Sequence, residues 1–204
     1  MSAIERIVAG RVVAVLRRVD DVGALVDGLV AGGIDLVEVT MDGEHAATQL
    51  AELRARGDVL VLAGTVRTPA DAEAAVAAGA EVCVAPGTVP ATIARCHELG
   101  VPMIPGALTP TEVERAWALG VAMVKLFPGS LGGPQYVREL RAPLPDVPLM
   151  VTGGVTADNA GAFIAAGATA IGAGSALAAA ADVPAAARAL AAAARSARPA
   201  AGAP

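Results

Sequence analysis

Apolar positions along the chain fall into short runs, and the same few residues precede most of them. The repeated unit is an alanine-rich stretch, a glycine, two or three further residues, and then a run rich in β-branched side chains. Ala31-Gly32-Gly33-Ile34-Asp35 leads into residues 36–41, Ala78-Gly79-Ala80-Glu81 into 82–85, and Leu99-Gly100-Val101 into 102–104. Leu119-Gly120-Val121 before 122–127 and Ala166-Gly167-Ala168 before 169–173 repeat it. A glycine at that place reads as the residue just past a helix, because it enters the left-handed region without a Cβ penalty. The short loop after it then leads directly into a buried strand. Helix and strand alternate in this way through the chain, which is the pattern of parallel βα units.

Counting the runs predicts eight strands, at residues 12–17, 36–41, 59–66, 82–86, 102–107, 123–128, 149–153 and 170–173. A leading helix is expected at 3–9 and a closing alanine-rich helix at 184–197. Eight parallel strands with intervening helices favour a closed barrel over an open sheet. The expected fold is therefore α/β: a single-domain (β/α)₈ TIM barrel with an extra N-terminal helix, over residues 1–197, and a flexible tail at 198–204.

Composition narrows the picture. The chain has 204 residues, of which 55% are hydrophobic and only 2% aromatic, so the core has to be built from Val, Leu, Ile and Ala. That suits a parallel sheet buried on both faces. A formal net charge of −5 without a basic block removes the electrostatic footprint of a nucleic-acid binder. No apolar run reads as a membrane span, and Met1-Ser2-Ala3-Ile4-Glu5-Arg6 is not followed by a signal-peptide core. Cys83 and Cys96 read as reduced thiols, Cys83 within a strand, and a cytoplasmic protein is expected.

Barrel chemistry is expected where strands end. The predicted ends carry Arg17, Glu38 with Thr40, Gly64-Thr65, Pro86-Gly87, Pro105-Gly106, Lys125 with Phe127, Thr152-Gly153-Gly154, and Gly172-Ala173-Gly174-Ser175. Lys125 is the only lysine among fifteen Lys and Arg residues, and it stands in the middle of the apolar run Met123-Val124-Lys125-Leu126-Phe127. Strand alternation puts Met123, Lys125 and Phe127 on one face. An ammonium buried without a partner is costly, and the neutral amine that burial favours is a nucleophile. Glu38, in Leu36-Val37-Glu38-Val39-Thr40, is a second charge inside an apolar strand and could move protons beside that amine. The glycines ending the seventh and eighth strands stand where barrels often hold a phosphate.

These strand ends resemble the family of 2-keto-3-deoxy-6-phosphogluconate (KDPG) and 4-hydroxy-2-oxoglutarate (KHG) aldolases, from about residue 12 to 177. The most specific pieces are Glu38-Val39-Thr40, Ala63-Gly64-Thr65-Val66, Ala85-Pro86-Gly87, Ile104-Pro105-Gly106, Val124-Lys125-Leu126-Phe127-Pro128 and Thr152-Gly153-Gly154-Val155. The resemblance implies a class I aldolase that cleaves a small, phosphorylated 2-keto-4-hydroxy acid to pyruvate and an aldehyde. Lys125 would form the Schiff base and Glu38 would be the general acid and base. Thr65, Pro86, Phe127 and Thr152 would contact the substrate, and Gly153, Gly154, Gly174 and Ser175 would hold the phosphate. A homotrimer is implied, and no metal or organic cofactor.

One position departs from the pattern. Well-known members carry an arginine two residues beyond Glu-Val-Thr, which contacts the substrate carboxylate, whereas this chain has Met41-Asp42-Gly43. An anion at that place would repel a carboxylate, so Arg17 or Arg67 has to supply the cation. Arg17 is favoured, because its strand-end position resembles that of an arginine in galactonate-type relatives. Two other readings compete: a sugar-phosphate epimerase on a phosphate-binding barrel, and a catalytically silent trimeric barrel scaffold. The first would need paired acids or a metal set, and the only two histidines, His45 and His97, fall in helix or loop context. The second is favoured only by Asp42 and opposed by Lys125 with Glu38.

Overall fold

The computed structural model of the chain describes residues 1–198, so all of the expected tail except Arg198 lies outside the described residues. Among these residues nine strands pair in parallel: β1 (Val12–Leu16), β2 (Leu36–Thr40), β3 (Leu60–Gly64), β4 (Val82–Val84), β5 (Met103–Ile104), β6 (Gly106–Ala107), β7 (Val124–Leu126), β8 (Leu149–Thr152) and β9 (Ala170–Ala173). Helix α1 (Ala3–Gly10) precedes β1, and α2 (Val22–Ala31), α3 (Ala46–Arg56), α4 (Pro69–Ala77) and α5 (Pro90–Glu98) follow the first four strands. Then α6 (Pro110–Trp117), α7 (Gly133–Arg141) and α8 (Ala157–Ala165) follow β6, β7 and β8, with a 3₁₀ turn (Gly129–Leu131) ahead of α7. The chain ends with α9 (Ser175–Ala178) and α10 (Val183–Ser196). No helix among the described residues is long and apolar enough to cross a membrane.

The ninth strand is the expected fifth one broken in two. Neighbours run β5-β4-β3-β2-β1-β9-β8-β7-β6, so the order begins and ends on two pieces separated by Pro105 alone. Proline has no N–H to give to a ladder, which interrupts the strand at that residue. The barrel still closes across the break: Ala85 N–H donates to Ile104 O at 3.1 Å on one side and Lys125 N–H to Pro105 O at 2.8 Å on the other. Most strands are also shorter than their apolar runs, and Arg17, Thr65 and Pro86 stand just beyond strand ends.

The repeated glycine unit closes helices as expected. Gly79 (φ 98°) and Gly167 (φ 107°) are left-handed, and the residue after each bonds back to the carbonyl five positions earlier: Ala80 N to Ala75 O at 3.0 Å, Ala168 N to Phe163 O at 3.1 Å. Those bonds satisfy carbonyls at the helix end and aim the chain at the next strand. Helix starts are fixed as locally: Thr68 and Thr109 each form a capping box with Asp71 and Glu112, followed by Pro69 and Pro110 at the first turn.

Alternation along the strands divides the core. Val37, Val39, Val61, Val124, Leu126 and Val151 pack outward against the helices. Val13, Leu36, Leu60, Leu62, Val82, Val84, Ile104, Met123 and Met150 fill the barrel, together with Ile7 of α1, which is fully buried. The N-terminal helix thus plugs the barrel end from which the strands start, leaving the other end for chemistry.

Candidate active site

Two residues along each strand returns a side chain to the same face, so the residues above the inner apolar layer are fixed by that layer. Leu36 belongs to the inner core, which turns Glu38 inward; Met123 does the same for Lys125, and Met150 for Thr152. Three other strands place glycines at the corresponding level: Gly64 above Leu62, Gly106 above Ile104 and Gly172 above Ala170. Their lack of a side chain is a space requirement. A Cβ on Gly64 would fall on the Glu38 carboxylate, one on Gly106 would strike the Pro86 carbonyl, and one on Gly172 would lie 2.6 Å from Thr152 Oγ1. Gly64 and Gly172 thus make room for polar side chains on the neighbouring strands β2 and β8, and Gly106 for the backbone at Pro86.

Lys125 Nζ is 3.6 Å from Glu38 Oε1, with the two side chains 7% and 1% exposed. That is an ion-pair distance but too long for a hydrogen bond. Nζ also lies 5.5 Å from the centre of the Phe127 ring, within cation–π range. Among the described residues the buried side-chain polar atoms without a hydrogen-bond partner are Glu38 Oε1, Glu38 Oε2 and Thr152 Oγ1. All belong to this one place. Buried polar groups are normally satisfied, so a group left without a partner needs a reason other than stability.

Above this floor opens a cavity of about 550 Å³, onto which Arg17, Thr65, Pro86, Lys125, Phe127 and Thr152 face. Gly153, Gly154, Gly174 and Ser175 line the same cavity beside α9. Gly153 (φ 99°) and Gly154 (φ 74°) turn the backbone sharply there, and a Cβ on Gly154 would press to 2.7 Å from Ser130. An adjoining groove of about 570 Å³ shares Pro86 and Phe127 but runs along α6, and its charged residues, Glu112 and Arg115, are exposed. The buried charges select the smaller cavity. Among the described residues no cluster of His, Cys, Asp and Glu is arranged to hold a metal ion.

At the mouth, Arg17 Nη1 donates to Asp42 Oδ2 at 3.2 Å and Nη2 to Thr65 Oγ1 at 3.4 Å. Arg18 Nη2 also reaches Asp42 Oδ2, at 3.4 Å. Burial opposes the charge on Asp42, but the Thr40 hydroxyl, Arg17 and Arg18 together outweigh it and hold the carboxyl below its usual range. Asp42 is therefore an anion shared between two guanidiniums rather than a bare charge facing the cavity. Thr65 has φ 60°, a left-handed conformation that costs a β-branched residue about 1–3 kcal/mol. Arg67 lines a different opening with Thr68, Gly87 and Val89, away from Lys125.

Candidate residues from six strand ends thus line one cavity, and Glu38, from a seventh, is buried beside Lys125 without lining the cavity itself. Sequence reasoning did not single out Arg18 or the space-making roles of Gly64 and Gly172. Gly64 stands opposite Thr40, two steps beyond Glu38 in the β2–β3 register. That register is invisible in a single strand.

Comparison with known proteins bears directly on this arrangement. The sequence model of KDPG and KHG aldolases matches residues 3–189. The chain belongs to the KDPG and KHG aldolase family. The 2-dehydro-3-deoxy-phosphogluconate aldolase of Treponema pallidum is 41% identical over 168 residues, spanning 80% of this chain and 79% of that protein. The 2-dehydro-3-deoxy-6-phosphogalactonate aldolase of Escherichia coli is 34% identical over 159 residues, 76% and 78% of the respective chains. A solved structure described as the 4-hydroxy-2-oxoglutarate aldolase/2-deydro-3-deoxyphosphogluconate aldolase from TTHB1 superposes with a TM-score of 0.87 at 34% identity, covering 95% of this chain and 99% of that one. Like its relatives, this chain is an aldolase, a carbon–carbon lyase, on a parallel α/β barrel.

Proposed function

We propose that this aldolase cleaves KDPG, or a closely related 2-keto-4-hydroxy acid, through a Schiff base on Lys125. The observation that carries the reading is the pairing of Lys125, which lines a cavity of about 550 Å³, with a buried Glu38 carboxylate whose two oxygens have no hydrogen-bond partner among the described residues. In this reading Glu38 takes a proton from Lys125, the freed amine attacks the C2 carbonyl, and its proton passes to the carbonyl oxygen to give a carbinolamine. Glu38 then gives its own proton to the departing hydroxyl, so that water leaves and an iminium forms. Glu38, now a carboxylate, takes the proton of the C4 hydroxyl as the C3–C4 bond breaks. The aldehyde departs and the bonding electrons remain on C3 as an enamine. Glu38 returns the proton to C3, and water hydrolyses the imine to pyruvate and free amine. A single carboxyl within reach of all three sites can perform these transfers in turn.

Arg17 holds the substrate carboxylate with Thr65, Phe127 and Pro86 enclose the keto end, and Thr152 contacts the chain beside C2. Gly153, Gly154, Gly174 and Ser175 receive the distal phosphate, whose oxygens suit close backbone approach at glycine. The family resemblance carries a cytoplasmic homotrimer with it. The substrate is tested by a panel of 2-keto-4-hydroxy acids with and without a terminal phosphate, scored by pyruvate release. The phosphorylated six-carbon acid is expected to give the highest kcat/KM. Preference for an unphosphorylated acid would assign the glycine end of the cavity another role.

A further inference from the structure

Asp42 replaces, by an anion, a cation that would face a carboxylate. Taken alone, such a charge weakens substrate binding. The structure gives it a different setting. Its Oδ2 lies 3.2 Å from Arg17 Nη1 and 3.4 Å from Arg18 Nη2, and its side chain is 24% exposed, against 58% and 71% for the two arginines. The better-fixed partner is the aspartate, one residue past Met41, whose N–H is anchored to Gly64 O at 2.8 Å. Arg17 by contrast projects from a loop at the end of β1, and a long side chain so exposed samples many rotamers unless held. With one nitrogen on Asp42 and another 3.4 Å from Thr65 Oγ1, the guanidinium is fixed in plane and in rotation at the cavity wall. Its remaining N–H groups stay available to a ligand, because a guanidinium carries more donors than these two contacts use.

We propose that Asp42 is a positioning residue: it holds Arg17 against Thr65, so that the guanidinium is already in place for the substrate carboxylate. The inference rests on the reading of Arg17 given above. It also sets a sign. A bare anion at this place would make removal of Asp42 tighten binding, whereas a positioning anion makes removal weaken it. Exposed ion pairs are individually modest, so the effect is several-fold and not a loss of activity.

The experiment is a double-mutant cycle on Asp42→Ala and Arg17→Ala, with Asp42→Asn as the conservative variant. The readouts are KM and kcat for cleavage of KDPG, and the pyruvate concentration that half-saturates borohydride inactivation. Asp42→Ala is expected to raise KM about three- to tenfold with kcat within about twofold, Asp42→Asn to fall between it and the parent, and Asp42→Ala to have no further effect once Arg17 is alanine. Full borohydride inactivation at saturating pyruvate shows that each variant retains an intact site. A KM lowered by Asp42→Ala, or the same rise in the Arg17→Ala background, overturns the positioning role. Arg17→Ala without effect contradicts the carboxylate reading itself; a large Arg17→Ala effect beside an inert Asp42→Ala contradicts only the inference made here.

Discussion

The ammonium of Lys125 stands 3.6 Å from the carboxylate of Glu38, and neither Glu38 oxygen has a hydrogen-bond partner among the described residues. Burying such a pair costs desolvation that only good geometry and further hydrogen bonds repay, and an apolar pair of similar volume is often no less stable. Strength of fold does not explain it. The proposed role in proton transfer beside a reactive amine would, and it leads to a first prediction: Glu38→Gln, which keeps the shape but not the base, should lower kcat about 10²–10⁴-fold. Trapping of pyruvate on the lysine should slow yet remain detectable. Unchanged turnover would show that another group moves the protons.

Gly64 offers an independent route to the same carboxylate. Its backbone is compatible with alanine, but the added Cβ would occupy the position of Glu38 Oε1. Gly64→Ala should therefore displace Glu38 and lower kcat by about 10²-fold or more, in the range expected for losing an acid/base group. Overpacking should cost about 1–3 kcal/mol of stability. Urea denaturation beside steady-state kinetics separates the two effects, and a fully active variant would show that the Glu38 position is not critical.

The two arginines near the third strand make opposite predictions. A charge-assisted hydrogen bond to a carboxylate contributes about 1.5–3 kcal/mol, so Arg17→Ala should reduce kcat/KM about ten- to a hundredfold, chiefly through KM. Arg67→Ala should change it less than about twofold, because Arg67 lines a separate opening. The reverse ranking in a kcat/KM comparison would move the carboxylate contact to the far side of Thr65.

Ile7 tests the barrel plug without touching the chemistry. Its side chain is fully buried in the inner core. Ile7→Ala should cost about 2–5 kcal/mol of stability, read from denaturant unfolding, while kcat of the folded fraction is unchanged. A large loss of kcat would mean that α1 shapes the site as well as sealing the barrel.

Much of this is legible in the chain because local chemistry dictates it. Alanine-rich runs ending in glycine mark helix ends, and an isolated charge in an apolar strand marks a face turned inward, so Lys125 and Glu38 stand out from the residue pattern alone. Pro105 also carries its own signal, since a residue without an N–H cannot continue a ladder, yet the run around it reads as one strand. The features that stay hidden depend on two strands at once. Gly64 as the space for Glu38 and Gly172 as the space for Thr152 require the register between neighbours. Asp42 as the partner of Arg17 joins loops 25 residues apart. Sequence alone gives its charge but not what that charge faces.

The Schiff base on Lys125 is the central claim, and its sole-lysine context makes it directly measurable. Apart from the α-amino group, Lys125 is the one primary amine in these 204 residues. The protein is incubated with pyruvate and sodium borohydride, then digested and read by mass spectrometry. One reduced pyruvyl group per chain is expected, on the peptide that contains Lys125, with activity lost in proportion to its formation. No adduct and no inactivation at saturating pyruvate, or full turnover by Lys125→Ala, would contradict the account.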